Sequence, residues 1–236
     1  MAAGEIMVRV TAAMPSTMDG VPGRAVAGAV TGPPDGGRFA PGDRVLAYVP
    51  DAEPAAVVVA RAAHTVPLPP GLPDEQGAAL LIDAAAAYTA VVVRGRLAPG
   101  ESVWVRGPAG DVAARVAAAF GAARVVTGDA ASGRFDLVVD TAGGAGSVDT
   151  AGGAGFVDAV RRLAVGGRVV PLGAAPAEVR ANRLLLNNVE IVGAAWDPDT
   201  LADQWAALAP HVAALTGDKV AGRLPAGPAD GGRRGD

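Results

Sequence analysis

The chain has 236 residues, half of them apolar and only 4% aromatic, with a formal net charge of −4 and no cysteine. The lack of cysteine excludes disulfides, thiolate nucleophiles and the usual structural zinc sites, and two histidines argue against a histidine-based metal site. An acidic chain whose single lysine is Lys219 does not provide the basic surface that nucleic acid requires.

The N-terminus lacks the basic start and apolar run of a signal peptide. No apolar run of the sequence reaches the length expected of a membrane span. We therefore expect a soluble, cytoplasmic protein that binds neither a membrane nor nucleic acid.

The first hundred residues contain short stretches typical of β-strands. Apolar and polar residues alternate over 5–12, and Pro-Gly and Gly-Gly turns separate the following stretches. A proline-rich connector, 67–73, leads into two helix-prone stretches that are interrupted at Asp83. The predicted strands are 5–12, 25–31, 44–49 and 55–62, and the predicted helices are 74–82 and 84–94.

From residue 100 the pattern changes to alternating strands and helices, which is typical of a parallel, doubly wound sheet. A last helix is predicted to break or bend at Pro210. The predicted strands are 102–106, 123–127, 135–140, 167–172 and 189–196, and the helices are 111–120, 154–163 and 200–215. We expect an α/β protein with a β domain over 1–95, a Rossmann-like domain over 96–220 and a flexible tail over 221–236.

A tandem duplication interrupts this pattern, since residues 141–149 are repeated almost unchanged as 150–158. Two copies are too few for a repeat architecture. We predict a lengthened, flexible loop at the carboxyl end of strand 135–140. Elsewhere, His64 and His211 are interpreted as surface or half-buried residues, and Trp104 and Trp196 as core residues.

The strand 102–106 runs into a glycine turn and then into an alanine-rich helix. Gly107 and Gly110 are followed by Ala113, a third small residue. This is the layout of a dinucleotide-binding turn, in which N–H groups at a helix start hold a pyrophosphate. Asp111 puts a carboxylate where phosphate charges would lie, although an acid there is also an ordinary stabiliser of a helix start.

With these elements placed, the chain resembles the medium-chain dehydrogenase/reductase superfamily, in particular its zinc-free quinone oxidoreductase and polyketide enoyl reductase branch. The similarity covers most of the chain in the family's order. It implies a trimmed GroES-like β domain, a shortened Rossmann domain, a cleft between them and a homodimer formed through the strand near 189–196. The matching segments are the glycine turn and 5–10, 41–45, 66–72, 97–103, 136–144, 166–173 and 182–193.

Several departures from that family weaken the implied cofactor site. Only 128–134 connect the second Rossmann strand to the next one, which removes the wall that supports adenosine in the family. Asp129 could accept a ribose hydroxyl and would disfavour a 2′-phosphate. Ala86 replaces a threonine that lies near the nicotinamide in the family, and Ser16 replaces a substrate-side asparagine. These changes predict a vestigial site and no bound cofactor.

Three residues are candidates for acid/base chemistry. Asp83 is either the N-cap of a following helix or, at the cleft position that the resemblance implies, a desolvated general acid or base. Asp19 is either its partner or a turn residue. Tyr88 is a third candidate, with packing as the alternative.

Three functions remain open. The favoured one is a cofactor-independent acid/base enzyme that cyclises, dehydrates or isomerises a small, apolar, polyketide-like substrate of secondary metabolism. The second is an NAD(P)H-dependent quinone or enoyl reductase. The third is a catalytically silent scaffold that binds a partner protein. No metal site is predicted for any of them.

Overall fold

A computed structural model describes residues 4–15, 23–32, 38–50, 55–107, 110–129, 131–141, 154–172 and 179–216. Two five-stranded sheets form its frame, one antiparallel and formed before residue 68, the other parallel and formed after residue 101. The predicted α/β architecture, with a small β domain and a shortened Rossmann-like sheet, is confirmed.

The antiparallel sheet has the strand order β4-β1-β2-β3-β5. Its first strand extends three residues beyond its predicted end, with an irregular register between Val10 and Ala12. The fifth strand, which was not predicted, pairs its proline-containing segment with β3. The strands are β1 Glu5–Pro15, β2 Arg24–Val30, β3 Arg44–Val49, β4 Val57–Arg61 and β5 Thr65–Pro67.

A single helix, α1 (Asp74–Tyr88), replaces the two helical stretches that were predicted, and a π-helical extension (Thr89–Arg94) continues it. The N-cap interpretation of Asp83 is therefore wrong, because this residue lies in the helix interior. The helix stays continuous because it is packed on several sides, against β1, β2 and β3 and against the later helices. Its alanines let these elements approach closely, and helices that are apolar all round are typically buried.

The expectation that no segment reaches membrane-spanning length is also wrong. The continuous helix Asp74–Arg94 is long and apolar enough to cross a membrane by length and composition alone. The two predicted stretches were each too short, and their fusion creates the 21-residue helix. Within the fold, 67% of its apolar window is buried, as in a core helix of a soluble protein.

The second sheet has the order β10-β9-β8-β6-β7, and its strands pair in parallel, as predicted. Its last strand has two residues instead of the predicted eight, and the short helix before it was not predicted. The elements are β6 Ser102–Arg106, α2 Asp111–Ala119, β7 Arg124–Thr127, β8 Phe135–Asp140, α3 Ala154–Arg161, β9 Leu163–Pro171, α4 Ala181–Asn187 and β10 Glu190–Ile191.

The predicted C-terminal helix is divided at Pro210, as expected. Helix α5 (Leu201–Leu208) and helix α6 (Val212–Thr216) flank a 3₁₀ turn that contains this proline. Proline lacks the N–H that a continuous helix requires. Both helices pack on α1, so the end of the described chain returns to the middle of the fold.

The link between β7 and β8 is unusually short. These strands are parallel and lie on opposite sides of β6, yet only 128–134 connect them. Crossovers between parallel strands ordinarily take a dozen or more residues. The indole N–H of Trp104 donates to the carbonyl oxygen of Gly128 at 2.8 Å and fixes the start of this link. β7 is consequently the edge strand of the sheet.

Trp104 and Trp196 are buried, as predicted, and His211 is half-buried against Phe120. The prediction of a surface or half-buried His64 is wrong, because this residue is buried. Its Nε2 atom lies 2.7 Å from Oδ1 of Asp199. Most of the duplicated loop, 142–153, lies outside the described residues. The end of its second copy, 154–158, forms the start of α3, where the helix 154–163 was predicted.

Candidate functional site

Gly107 and Gly110 flank the turn between β6 and α2, and Pro108 and Ala109 between them lie outside the described residues. Gly107 has φ of +95°, a left-handed conformation that favours glycine. At Gly110 a Cβ atom would lie 2.7 Å from Cγ1 of Val105, so a side chain would require this strand residue to move. Ala113 is buried against the core that contains α1. The turn thus opens at the carboxyl edge of the parallel sheet, where such folds bind ligands.

Two carboxylates lie beside this turn. Asp111 is the first residue of α2 and is exposed. Asp129 follows the end of β7 and is exposed as well. Since β7 pairs with β6, Asp129 lies at the same edge of the sheet as the glycine turn.

A buried ion pair that was not predicted from the sequence lies beneath the turn. Nη1 of Arg106 donates to Oδ2 of Asp140 at 2.6 Å, and both residues are at most 5% exposed. They are register partners on β6 and β8. The sequence did contain a signal for this pair, because Arg106 and Asp140 are each a charged residue at the end of an apolar strand. Nη2 of Arg106 packs so closely on Gly155 that a Cβ atom there would clash.

Asp83 lines a small cavity beside α1. The cavity has a volume of about 120 Å³ and lies between α1 and the neighbouring ends of β1 and β2. Apart from Asp83, its described lining is apolar, formed by Met14, Pro15, Ala25, Ala78, Ala79 and Ile82.

The apolar surroundings change the acidity of this carboxyl group. Burial raises the pKa of Asp83 from 3.8 to about 6, and no charged group contributes to the shift. Desolvation penalises the ionised form, and no cation is close enough to offset it. Asp83 is therefore the one carboxyl group of the described chain with a pKa clearly raised towards neutrality.

This raised pKa predicts a pH-dependent cost in stability. Between about pH 4 and pH 6 the folded state keeps a proton that the unfolded state has released. The free energy of unfolding should thus fall as pH rises, by at most about 3 kcal/mol, and the loss should persist above pH 6. Asp83→Asn should remove this loss. Denaturant unfolding of both proteins from pH 4 to pH 7 measures it.

The comparison with Asp83→Asn is needed because other carboxyl groups act in the opposite direction. Hydrogen bonds from Arg168 lower the pKa of Glu101, and the Ser102 N–H lowers that of Asp136. Their stabilisation is lost as pH falls. A stability difference between the two proteins that stays constant from pH 4 to pH 7 would contradict the prediction.

Of the other predicted site residues, those that the structure describes do not gather around Asp83. The Tyr88 ring packs edge-on against Phe120 of the α2 end, with centroids 5.2 Å apart, and Tyr88 is not among the cavity residues. Ala86 is buried in the core. Asp19 and Ser16 lie outside the described residues. Among the described residues, no cluster of three or more histidine or acidic side chains could hold a metal ion.

Solved structures of oxidoreductases are similar to this chain over most of its length. A probable oxidoreductase from Mycobacterium abscessus is 25% identical, with a TM-score of 0.70, over 90% of this chain and 80% of that one. A quinone oxidoreductase from Thermus thermophilus is also 25% identical, with a TM-score of 0.70, over 91% and 81%. These solved structures are medium-chain dehydrogenase/reductase proteins, so the predicted resemblance to that superfamily is confirmed. No family profile and no curated protein matches the sequence.

The superfamily match contradicts the expectation that no cofactor binds. The Thermus quinone oxidoreductase structures include a complex with NADPH. A zinc-binding dehydrogenase from Sinorhizobium meliloti, 17% identical with a TM-score of 0.69 over 90% and 83% of the two chains, was solved with NADP. The prediction gave too much weight to Asp111 and the short link, and too little to Gly107 and Gly110, which flank the turn in a left-handed conformation and in close packing respectively. The similarity to these oxidoreductases also supports the prediction of a soluble protein. The cytoplasmic location stays a prediction.

Proposed function

We propose that this protein is a nicotinamide-dependent oxidoreductase that reduces a small, apolar carbonyl compound such as a quinone or an enone. The observation that carries the proposal is the β6–α2 turn, where Gly107 is left-handed and Gly110 has no room for a side chain. A pyrophosphate approaches such a turn closely because no side chain intervenes. The relation to quinone oxidoreductase supports the same function and gives less support to cofactor-free acid/base catalysis.

The described residues fit the dinucleotide, with two features that lower its affinity. Asp111 is exposed, so water screens its charge and repulsion of a phosphate is reduced without being abolished. β7 is the edge strand, so the adenosine half would have protein on one side only. Gly107, Gly110 and the first N–H groups of α2 would hold the pyrophosphate.

Asp129 favours NADH over NADPH. An acidic residue about 20 positions after the glycine turn ordinarily accepts the ribose 2′-hydroxyl, and a carboxylate there repels a 2′-phosphate. Asp129 stands 19 positions after Gly110 and is exposed at the end of β7. When bound, the reduced nicotinamide supplies a hydride, so the second proton of the reduction has to come from the protein or from water.

Titration with NADH and NADPH tests the proposal, followed by tryptophan fluorescence or heat. We expect saturable binding, tighter for NADH, and cofactor oxidation on addition of a quinone. Asp111→Asn should tighten binding by about threefold to tenfold, because it removes one repulsive charge near the phosphates. Asp203→Asn, which changes another exposed first-turn acid on α5, is the matched control and should have no effect. Absence of binding by wild type and by Asp111→Asn would contradict the proposed function.

We also propose that the homodimer predicted from the sequence forms through β10. This strand is at the edge of the parallel sheet and leaves backbone groups available for pairing. Apolar side chains beside it are exposed, namely Ile191 and, on α4, Leu185 and Leu186. A second copy of the chain would cover both features.

A further inference from the structure

The cavity lined by Asp83, here named the Asp83 cavity, is suited to a small ring. Its volume of about 120 Å³ is similar to that of an engineered cavity of about 150 Å³ that binds benzene. Its walls are formed by methionine, proline, alanine and isoleucine side chains from α1, β1 and β2. A ligand would therefore be held by apolar contacts on its ring and by a single polar contact at Asp83.

The electrostatics around the cavity leave that polar contact available. Within the described part of the chain, the side chain of Asp83 has no hydrogen bond or ion pair. The charged residues on the elements packed against α1 do not shift its acidity, since burial is the only cause of its raised pKa. Those residues are Glu5 and Arg9 on β1, Arg24 on β2, Arg44 on β3, Asp111 and Arg115 on α2 and Asp203 on α5, together with Asp74, Glu75 and Arg94 on the helix itself.

A carboxyl group in these surroundings distinguishes between ligands. In its protonated form it can donate a hydrogen bond to a carbonyl oxygen, whereas its ionised form repels the same oxygen. A hydrocarbon without an acceptor would leave the carboxyl group unpaired, which costs free energy in an apolar cavity. The best match is a single-ring ketone with its oxygen directed at Asp83.

We propose that the Asp83 cavity binds the carbonyl end of a small cyclic enone or quinone and that Asp83 donates a proton to its oxygen during reduction. This inference rests on the proposed function for its source of hydride. As hydride adds to the β-carbon of an enone, the C=C electron pair forms a new double bond to the carbonyl carbon. The carbonyl π pair moves to oxygen, which takes the proton of Asp83 to give an enol. The enol tautomerises to the saturated ketone, and the Asp83 carboxylate regains a proton from water.

A binding experiment without cofactor tests the cavity. The full-length protein is titrated with 2-cyclohexenone, observed by NMR, at pH 5 and at pH 8. We expect affinity about tenfold higher at pH 5, where the carboxyl group is protonated. Asp83→Asn keeps a donor and should bind equally at both pH values. Ala79→Leu fills the cavity one turn from Asp83 and should abolish binding, whereas Asp203→Asn should match wild type.

A second measurement tests the proton transfer. In Asp83→Asn, kcat for 2-cyclohexenone reduction should fall about 100-fold, because an amide cannot donate the proton. Its NADH affinity should equal that of wild type, which distinguishes this loss from damage to the cofactor site. Wild-type kcat in Asp83→Asn would overturn the donor role. Equal wild-type binding at pH 5 and pH 8, or unchanged binding in Ala79→Leu, would overturn the cavity. If neither NADH nor NADPH binds wild type, the proposed function and the donor role fail, and the titration still decides the cavity.

Discussion

Replacing Arg168 by methionine should lower the free energy of unfolding by about 3–5 kcal/mol, the cost of breaking a buried charged network. Arg168 on β9 is 5% exposed. It donates to Glu101 at 2.8 and 2.6 Å, to the carbonyl oxygens of Arg96 and Asp136 at 3.0 and 3.2 Å, and to that of Gly95. It thereby ties the end of the α1 extension to the parallel sheet, so its loss leaves several acceptors without a donor.

Two further variants distinguish the loss of this hydrogen-bond network from the loss of a single charge. Arg168→Lys should lower the free energy of unfolding by less than Arg168→Met does and by more than Arg162→Met does. One ammonium group cannot reach all the acceptors that the planar guanidinium reaches. Arg162→Met breaks a half-buried pair with Asp158 on α3 and should lower the free energy of unfolding by less than about 1 kcal/mol. Denaturant unfolding measures all three. Equal losses of unfolding free energy in Arg168→Met and Arg162→Met would show that the network around Arg168 adds no stability beyond that of a single ion pair.

Asp140→Asn should destabilise the protein by a similar amount, about 3–5 kcal/mol, because it leaves the Arg106 guanidinium buried without a counterion. The two side chains are joined at 2.6 Å and are nearly inaccessible to water. Thermal unfolding should shift downwards by roughly 6–20 °C, given the size of the chain.

A double variant identifies the cause of that loss. Arg106→Met combined with Asp140→Leu removes both charges, and buried pairs replaced by apolar residues are often neutral in stability. We expect this protein to unfold nearer to the wild-type temperature than Asp140→Asn does. A double variant less stable than the single one would mean that the pair itself stabilises the strand ends.

Much of the fold was predictable because its signals are local. Strands β3, β6 and β8 begin and end at the predicted residues, since alternation or an apolar run bounded by glycine and charge marks them. The glycine turn was located for the same reason. The predictions that were wrong also have a physical cause. Asp83 looked like a helix start because aspartate favours that position, yet packing on several sides kept α1 continuous through it.

The candidate site was predicted less completely. Asp83 was identified as a candidate acid, but its cavity depends on Met14, Pro15 and Ala25, which are far from it in sequence. Tyr88, a further candidate, packs on Phe120, in agreement with the packing alternative. The absence of a cofactor was inferred from the short link 128–134 and from substitutions such as Asp111, and comparison with NADPH- and NADP-bound relatives corrected it.

The sequence by itself determined the class of fold, the order of its strands and helices and the position of the glycine turn, because periodicity and glycine spacing act over a few residues. Only the tertiary structure decided that Arg106 meets Asp140 beneath that turn and that Asp83 stands alone among apolar side chains. Both facts depend on which elements pack together, and the resulting loss of water fixes the strength of the ion pair and the acidity of the carboxyl group.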